Sequence, residues 1–300
     1  MQFSELFREV TRRVPYRFGA TLINVAMSAL GREGTAGWMV SQGPRGLPQM
    51  VVNPALPFQR RMYFFPRAYW DRLMGLPFGR FVERELRAGD VFLDIGSNVG
   101  FYTLFASQRV GATGIVHAFE PEPSTFESLR RSVEANGFSW TTCHNLALSD
   151  REGVLPFHFV ADGSAHSLVV ETKERTGRYA GSVEVRVATL DGLVSAKQLE
   201  LPRIDLVKID VEGEEVRTVR GMLQTLRQTG LPPVWAEVRG PKGSTRAPNT
   251  YRDVREALSG LGYEPYFWTP GRMTPVAPDA VQQREDVLFV HPSRRIRCEA

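Results

Sequence analysis

The apolar residues in the middle of the chain switch repeatedly between short continuous runs and helical spacing. Each run has the length of a buried strand and precedes a segment in which apolar residues recur every three or four positions. The predicted strands cover residues 91–94, 114–119, 141–147, 204–210, 234–238, 263–268 and 286–290. Strands that alternate with helices in this way predict an α/β fold with a mostly parallel sheet.

Local deviations from this pattern predict finer features. The helical spacing between residues 67 and 86 is broken at Pro77. The helix after the second strand is predicted to begin at Ser124, because Glu127 three positions later completes a capping box. Two runs in which apolar and polar residues alternate, 154–160 and 183–187, indicate a pair of antiparallel strands inserted into the fold.

The first 65 residues depart from the strand–helix pattern and are predicted to form an N-terminal extension. Residues 33–65 are rich in Gly and Pro, and a helical face earlier in the extension carries Phe3, Leu6, Phe7, Val10 and Val14. We expect a helical cap and an irregular linker here, ahead of a domain at 66–300 that carries the insertion at about 154–187. The cap would pack on its own domain or on a second copy of the chain; contact with a membrane surface is the alternative.

The extension lacks the pattern of a targeting or membrane-spanning segment. Its apolar stretch at 20–30 contains Asn24 and Ser28 and is too short to span a bilayer. Glu5 and Glu9 do not suit the start of a signal peptide. We therefore expect a cytoplasmic protein.

Composition and charge narrow the classes of protein to consider. The chain has 300 residues, 42% of them apolar and 23% charged, which suits one large α/β domain with an extension. The net charge of +4 is mild, and many of the arginines lie near the two ends, so no nucleic-acid partner is expected. Cys143 and Cys298 form neither a metal-binding spacing nor a disulfide framework.

The most informative stretch is the turn from Asp94 to Gly100, directly after the first predicted strand. Gly96 and Gly100 lack a Cβ, so the backbone there can approach a ligand, and a helix can approach a strand. A strand, a tight turn and a helix start form a nucleotide-binding crevice in open α/β sheets. Asp94 would repel a phosphate but attract an ammonium and a sulfonium, which fits S-adenosylmethionine.

A second acid, Glu120, ends the second predicted strand. It lies twenty residues beyond Gly100, where an acid can accept both hydroxyls of a ribose. Acids at the ends of two successive strands predict a negatively charged crevice that binds a nucleoside.

A third acid, Asp210, ends the strand predicted at 204–210. Strand alternation places it on the same face as Lys208, at the edge of the sheet where ligands bind. A hydroxyl acceptor has to lose a proton, and the candidate bases are Asp210, Glu237 in the next strand and His166 in the polar loop of the insertion. Asp210 and Glu237 could instead hold a magnesium ion that acidifies the hydroxyl. We favour a base without a metal.

Four stretches together resemble the FkbM-type S-adenosylmethionine-dependent methyltransferases. They cover roughly residues 80–240 and read DIGSNVGFYT, HAFEPEPSTFESL, NLALSD and DLVKIDVEGEE. The resemblance implies a Rossmann-like class-I methyltransferase fold, with a seven-stranded sheet whose last strand is antiparallel. It also implies that the turn after the first strand holds the methionine part, Glu120 the ribose and residues 147–150 the adenine. The residues assigned to the cofactor are Asp94, Gly96, Asn98, Gly100, Tyr102, Thr103, Glu120, Pro121, Ala147, Asp150 and Asp210.

The predicted function is O-methylation of a hydroxyl on a sugar, a glycan or a natural product. One alternative is a non-catalytic nucleoside-binding or scaffold protein with the same fold, although the three acids expected of an active site are all present. The other is an NAD-type oxidoreductase. Asp94 opposes that assignment, and the glycine spacing differs from the dinucleotide-binding fingerprint.

Overall fold

The computed structural model describes residues 37–44, 46–54, 56–64, 66–160, 166–167, 179–240, 250–281 and 284–297. Its strands are β1 (Met39–Ser41), β2 (Met50–Val52), β3 (Val91–Ile95), β4 (Ile115–Phe119), β5 (Thr141–His144), β6 (Ala147–Leu148), β7 (Gly153–Val160), β8 (His166–Ser167), β9 (Tyr179–Ala188), β10 (Leu206–Ile209), β11 (Val234–Arg239), β12 (Glu264–Thr269), β13 (Arg272–Pro275) and β14 (Arg284–Val290). Its α-helices are α1 (Pro57–Phe64), α2 (Pro66–Gly75), α3 (Pro77–Glu85), α4 (Phe101–Val110), α5 (Pro123–Ala135), α6 (Leu190–Ser195), α7 (Glu215–Arg220), α8 (Leu223–Gln228) and α9 (Thr250–Ser259).

Eight of the described strands form the main sheet, in the order β13-β12-β14-β11-β10-β3-β4-β5. The central strands β11, β10, β3, β4 and β5 pair in parallel, and β14 is antiparallel to β11. The predicted α/β class and the antiparallel last strand are therefore confirmed. The sheet has one strand more than the seven predicted, because β12 turns back through a hairpin to add β13 at the edge.

The third predicted strand, 141–147, is shorter than expected. β5 ends at His144, and the chain then forms β6, which pairs with β9 in a second sheet. Asn145 lies at this change of direction, and its side-chain amide donates hydrogen bonds to the backbone oxygens of Glu120 (2.9 Å) and Pro121 (3.0 Å). These bonds tie the bend to the end of β4, beside the predicted ribose site.

The second sheet has the order β6-β9-β7-β8 and forms the predicted insertion. β7 and β9 pair in an antiparallel ladder, so the predicted inserted pair is confirmed. Both strands are longer than predicted, because the ladder runs from Gly153 opposite Val187 to Val160 opposite Tyr179. Phe157 packs with Ala147 of β6 and with Val185 and Val187 of β9, and this apolar cluster joins the three strands.

The helices follow the predicted pattern with one correction at a helix start. The break at Pro77 is confirmed, since α2 ends at Gly75 and α3 begins at Pro77. The cap predicted at Ser124 is wrong: α5 begins at Pro123, and Glu122 caps it by accepting hydrogen bonds from the N–H groups of Ser124 and Thr125. Proline suits the first helical position because its missing N–H would have no partner there, and this moves the cap to Glu122.

The described part of the N-terminal segment packs on α5. β1 and β2 form an antiparallel pair, and the Val51 N–H in β2 donates to the Ser132 hydroxyl at 2.8 Å. The Gln49 N–H donates to the Asn136 side chain at 3.0 Å. The helix predicted within residues 1–32 lies outside the described residues. Among the residues that are described, no helix combines the length and apolar character needed to cross a membrane.

Apolar side chains fill both faces of the main sheet. Phe92 and Leu104 belong to the layer shared with α3, α4 and α5, while Ile209, Val219 and Val254 belong to the layer shared with α7, α8 and α9. A parallel sheet that is covered on both faces binds ligands at the carboxyl ends of its strands. The ends of β3, β4 and β10 are therefore the place to look for a site.

Candidate active site

A cavity of about 250 Å³ lies at the carboxyl ends of β3, β4 and β10. Its wall combines the turn after β3, the end of β4, the start of β6 and the loop after β10 with side chains from α1, α2 and α4. This is the edge of the sheet at which the sequence predicted a ligand site. The predicted cofactor residues that line it are Gly96, Asn98, Tyr102, Glu120, Pro121, Ala147 and Asp210.

The turn between β3 and α4 needs glycine because other parts of the chain pack tightly on it. Gly96 has a φ of 78°, and a Cβ there would lie 1.9 Å from the backbone oxygen of Asp210. Gly100 has a φ of 90°, and a Cβ there would lie 2.5 Å from a methyl group of Leu129. The two glycines therefore let β10 and α5 approach the turn, and Gly100 lies behind the cavity wall.

Asp94 lies beneath the cavity wall rather than in it. The residue is fully buried, and its Oδ2 accepts a hydrogen bond of 2.7 Å from the Thr103 hydroxyl. Its Oδ1 lies 3.4 Å from Nζ of Lys208. Thr103 is also fully buried, and neither residue lines the cavity. The first predicted acid is thus placed to hold Lys208 and α4, one layer away from a ligand.

Lys208 lines the cavity and joins three parts of its floor. Its Nζ lies 3.4 Å from Asp94, 3.5 Å from Asp210 and 3.4 Å from the backbone oxygen of Gly96. Burial alone would lower the pKa of Lys208, but the charges of Asp94, Asp210 and Glu237 raise it above its usual value. Lys208 is therefore protonated, and it balances the acids around it. Its predicted position on the same face as Asp210 is confirmed.

Glu120 ends β4 with both carboxylate oxygens held by the backbone. One oxygen accepts a hydrogen bond from the backbone N–H of Asn98 and the other accepts one from the backbone N–H of Glu122, each at an N···O distance of 2.9 Å. The side chain is buried in the cavity wall, and burial raises its pKa to about 8 against the opposing effect of these two bonds. Each oxygen keeps a second lone pair, so the ionised group can accept hydrogen bonds from two adjacent hydroxyls.

The wall beside Glu120 is apolar. It consists of Phe119, Leu146, Ala147 and Leu148 together with a side chain of the inserted sheet, Phe157. An apolar wall next to an acid that can bind a ribose suits a purine base.

Asp150, the remaining residue predicted to contact the adenine, lies outside this wall. Its carboxylate accepts a hydrogen bond of 3.4 Å from the hydroxyl of Ser149. Asp150 is exposed, so it is placed at the surface next to the apolar wall rather than within it.

Three carboxylates cluster at the other end of the cavity. Asp210, Glu212 and Glu237 each offer an oxygen, and the three oxygens lie within 4.8 Å of one another. Asp210 and Glu212 line the cavity, and Glu237 lies behind them in β11. Arg239 pairs with Glu212 at 2.6 Å. The structure thus brings together two of the three predicted bases, Asp210 and Glu237, and adds Glu212, to which the sequence analysis gave no role.

The third predicted base, His166, is described only through its backbone. It lies in β8, opposite Phe159 of β7, in the sheet of the insertion. Its side chain lies outside the described residues, so its role as a base stays a prediction.

An aromatic wall from the N-terminal helices completes the cavity; we use this name for Phe58, Tyr69 and Leu73. The rings of Phe58 and Tyr69 meet edge to face at 6.3 Å, and Tyr69 meets Phe101 in the same way at 6.1 Å. Sequence reasoning missed these residues, because helical spacing of apolar residues looks the same whether a helix faces the core or a cavity.

A nucleoside ligand fits these residues. Glu120 offers acceptor oxygens beside an apolar wall. In the adjoining turn, the buried hydroxyl of Ser97 has no hydrogen-bond partner among the described residues, so a polar ligand could use it. The fold and the site together define a Rossmann-like protein with a ligand cavity at the carboxyl ends of its parallel strands.

The comparison with protein families narrows this class. The family model for the methyltransferase FkbM domain matches residues 94–265, which is more than half of the chain. The chain therefore belongs to the FkbM methyltransferase family, and the resemblance seen in its four sequence stretches is confirmed.

Individual relatives are more distant. The chain is 30% identical over 153 residues to the hexuronic acid methyltransferase AglP of Haloferax volcanii, covering 51% of this chain and 58% of that protein. It is 30% identical over 164 residues to the 31-O-demethyl-FK506 methyltransferase FkbM of Streptomyces tacrolimicus, and this match covers 46% of this chain and 61% of that protein. The chain thus spans about three fifths of the length of these relatives. A crystal structure of methyltransferase FkbM from Methylobacillus flagellatus KT aligns with a TM-score of 0.41 and 15% identity, over 68% of this chain and 44% of that one.

Proposed function

We propose that the protein is an S-adenosylmethionine-dependent methyltransferase that methylates a hydroxyl oxygen of a sugar, glycan or natural product. The observation that carries this proposal is that Glu120 and Asp210, at the ends of two parallel strands, line one cavity. Glu120 can accept ribose hydroxyls, and Asp210 can receive a proton from an acceptor. The relative named for a 31-O-demethyl compound supports oxygen as the methylated atom.

The chain's own residues would hold the cofactor along the turn after β3. Glu120 would accept the ribose hydroxyls once it ionises on binding, and Ala147 and its apolar neighbours would pack against the adenine. Gly96, Ser97 and Asn98 contribute the turn along which the methionine part lies. Asp94 acts from below the turn, where its pairing with Lys208 fixes the floor of the cavity.

Asp210 would remove the acceptor proton. S-adenosylmethionine supplies a methyl group on a positively charged sulfur; the acceptor oxygen forms the new C–O bond as the C–S bond breaks, and the sulfur becomes a neutral thioether. Asp210 takes up the hydroxyl proton, and its side chain is 34% exposed, so an acceptor in the cavity can reach it. Lys208, 3.5 Å away, holds the carboxylate in position.

Two other residues could act as the base in place of Asp210, and a metal ion is a further alternative. Glu237 could receive the proton through the carboxylate cluster, and His166 could do so from the insertion. The three clustered carboxylates could also hold a magnesium ion, because oxygen ligands suit that metal. We propose the metal-free base, since Lys208 and Arg239 already balance the charge of Asp210 and Glu212.

Calorimetry with three ligands tests the cofactor. S-adenosylmethionine and S-adenosylhomocysteine are expected to bind, while NAD is not, because the acids of the cavity repel its phosphates. Binding of NAD without any binding of S-adenosylmethionine would contradict the proposed function.

The variant Asp210→Asn tests the base, since it keeps the shape of the side chain and removes the charge. We expect turnover to fall by about two to four orders of magnitude with little change in cofactor affinity, because proton removal matters in the transition state. Weaker cofactor binding with a small loss of rate at saturation would instead assign Asp210 to the cofactor's ammonium. Treating the wild type with a chelator separates the base from the metal: activity that magnesium restores would identify a metal site.

We also propose that the protein works in the cytoplasm and that residues 1–32 pack on their own domain, on a second copy of the chain or on a membrane surface. The free thiol of Cys143 supports a reducing compartment.

A further inference from the structure

We propose that the aromatic wall selects the methyl acceptor, and that this acceptor is an uncharged hydroxylated ring that lays an apolar face on Phe58, Tyr69 and Leu73. This inference rests on the proposed function and deepens it. It assigns acceptor recognition to helices that lie before the family match, which begins at residue 94. It also excludes acceptors that carry a carboxylate.

The aromatic wall is part of the same cavity as the proposed base. Phe58 comes from α1 and Tyr69 and Leu73 from α2, and all three line the cavity with Glu120 and Asp210. Each of the three is partly exposed, whereas a core residue of this size would be fully covered. Apolar surface left open inside a cavity that also holds a few polar groups is typical of a ligand site.

The wall is rigid because the residue next to Tyr69 anchors its helix. Trp70 is 1% exposed, and its ring lies 4.3 Å from that of Phe101. With Trp70 fixed in the core, Tyr69 is held against Phe101 on one side and Phe58 on the other. A ring-shaped acceptor therefore meets a preformed surface, which reduces the cost of ordering side chains on binding.

The aromatic contacts also lead directly to the proposed base. Phe101 meets Tyr102 edge to face at 5.0 Å, and Nζ of Lys208 lies 5.7 Å from the centre of the Tyr102 ring. Lys208 in turn pairs with Asp210. These contacts connect the aromatic wall to the floor of the cavity, and Tyr69 and Asp210 both line that cavity.

The charges around this part of the cavity oppose an anionic acceptor. The described lining residues with a carboxyl or an amino group in the side chain are four acids and one lysine: Glu120, Asp210, Glu212, Glu214 and Lys208. The lysine already pairs with two acids, and Arg239 pairs with Glu212. Among the described residues, no cation of the lining is left to receive a carboxylate, and a carboxylate held near Asp210 would be repelled.

Two methyl glycosides of matched shape test the charge selection. Methyl glucoside and methyl glucuronoside differ at one position, where the second carries a carboxylate. We expect the protein loaded with S-adenosylhomocysteine to bind methyl glucoside at least tenfold more tightly, as measured by ligand-observed NMR. Equal binding, stronger binding of the glucuronoside, or binding of neither up to their solubility would overturn the proposal.

Two neighbouring substitutions on α2 test the wall itself. Leu73→Ala removes a cavity side chain, whereas Met74→Ala removes a partly buried side chain of similar size that lies outside the lining. We expect Leu73→Ala to weaken methyl glucoside binding about fivefold and Met74→Ala to leave it unchanged. Equal effects of the two variants would overturn the proposal.

The affinity for S-adenosylhomocysteine, measured in each variant, separates this inference from the proposed function. If the cofactor product does not bind the wild type, the proposed function fails. If it binds equally to wild type and both variants while the glycosides show no selection, only the acceptor inference fails.

Discussion

Replacing Asp94 by Asn removes one charge from a buried pair while keeping an acceptor for the Thr103 hydroxyl. The carboxylate lies 3.4 Å from Nζ of Lys208, and the two side chains are 1% and 7% exposed. At an effective dielectric constant of about 20, the attraction at this distance is about 5 kcal/mol. The cost of taking both charges out of water offsets part of it, so we expect Asp94→Asn to lower the free energy of unfolding by about 3 kcal/mol.

A double variant shows whether this loss belongs to the pair. After Asp94→Asn, Lys208 keeps Asp210 as a partner, but its buried positive charge is balanced by one carboxylate fewer. In Asp94→Asn combined with Lys208→Met, that buried cation is gone, and the partly exposed Asp210 can be hydrated. We therefore expect the double variant to lose about 1.5 kcal/mol less than the sum of the two single losses.

Urea unfolding of the wild type and the three variants at neutral pH measures these free energies. Losses that add within about 0.5 kcal/mol would show that the two residues do not act as a pair. Calorimetry with S-adenosylmethionine supplies the second check. A fully stable Asp94→Asn protein that no longer binds the cofactor would make Asp94 a ligand contact and refute its placement as a buried anchor.

Three further predictions concern pH, the turn and the N-terminal segment. Burial raises the pKa of Glu120 to about 8 and that of Glu215 to about 7, so both side chains favour the protonated state in the fold. The free energy of unfolding of the ligand-free protein should therefore fall as pH rises from about 5 to 8. Glu120→Gln should reduce this fall in urea titrations, and an unchanged dependence of the unfolding free energy on pH would contradict the prediction. Gly96→Ala should cost about 3 kcal/mol because the new Cβ meets backbone atoms. Gly137→Ala, also at positive φ but with nothing within 4 Å, should cost about 1 kcal/mol by the same measurement, and equal costs would count against the packing argument. Deleting residues 1–32 should leave cofactor affinity unchanged in calorimetry while altering acceptor turnover or oligomeric state, and a folded truncation that loses the cofactor would refute this.

The placement of Glu120 and Asp210 could be predicted because it depends on local features. Each acid follows a short apolar run, and the carboxyl ends of parallel strands gather at one edge of a sheet. The positions of the two acids in the sequence were therefore enough to predict that they share one cavity, and no knowledge of side-chain packing was needed. The same reasoning put Lys208 and Asp210 on one face, because strand alternation is a property of neighbouring residues.

Features that depend on contacts between distant segments could not be predicted in this way. The depth of Asp94 follows from its cross-strand neighbour Lys208 and from Thr103 in the next helix, and no spacing rule shows how far an acid lies below a surface. The bend after β5 depends on the amide of Asn145 reaching the end of β4. Glu212 lies just before a helix start that is rich in acids, so the sequence did not distinguish it from its neighbours. Its partner Arg239 is distant in the chain and is brought to it only by the fold.

The cations beside the acids matter for the proposed reaction as much as the acids do. The positive charge on the cofactor's sulfur disappears as the methyl group leaves, so carboxylates near it stabilise the bound cofactor more than the transition state. Without neighbouring cations, Asp210 and Glu212 would strengthen the binding of the cofactor and slow the transfer of its methyl group. Lys208 and Arg239 offset part of this attraction.

A hydroxyl, in contrast, becomes more acidic as its oxygen forms the new bond, so a hydrogen bond to Asp210 strengthens in the transition state. As the proposed base, Asp210 would contribute to the rate through the acceptor proton, and its pairing with Lys208 would limit how strongly it attracts the cofactor.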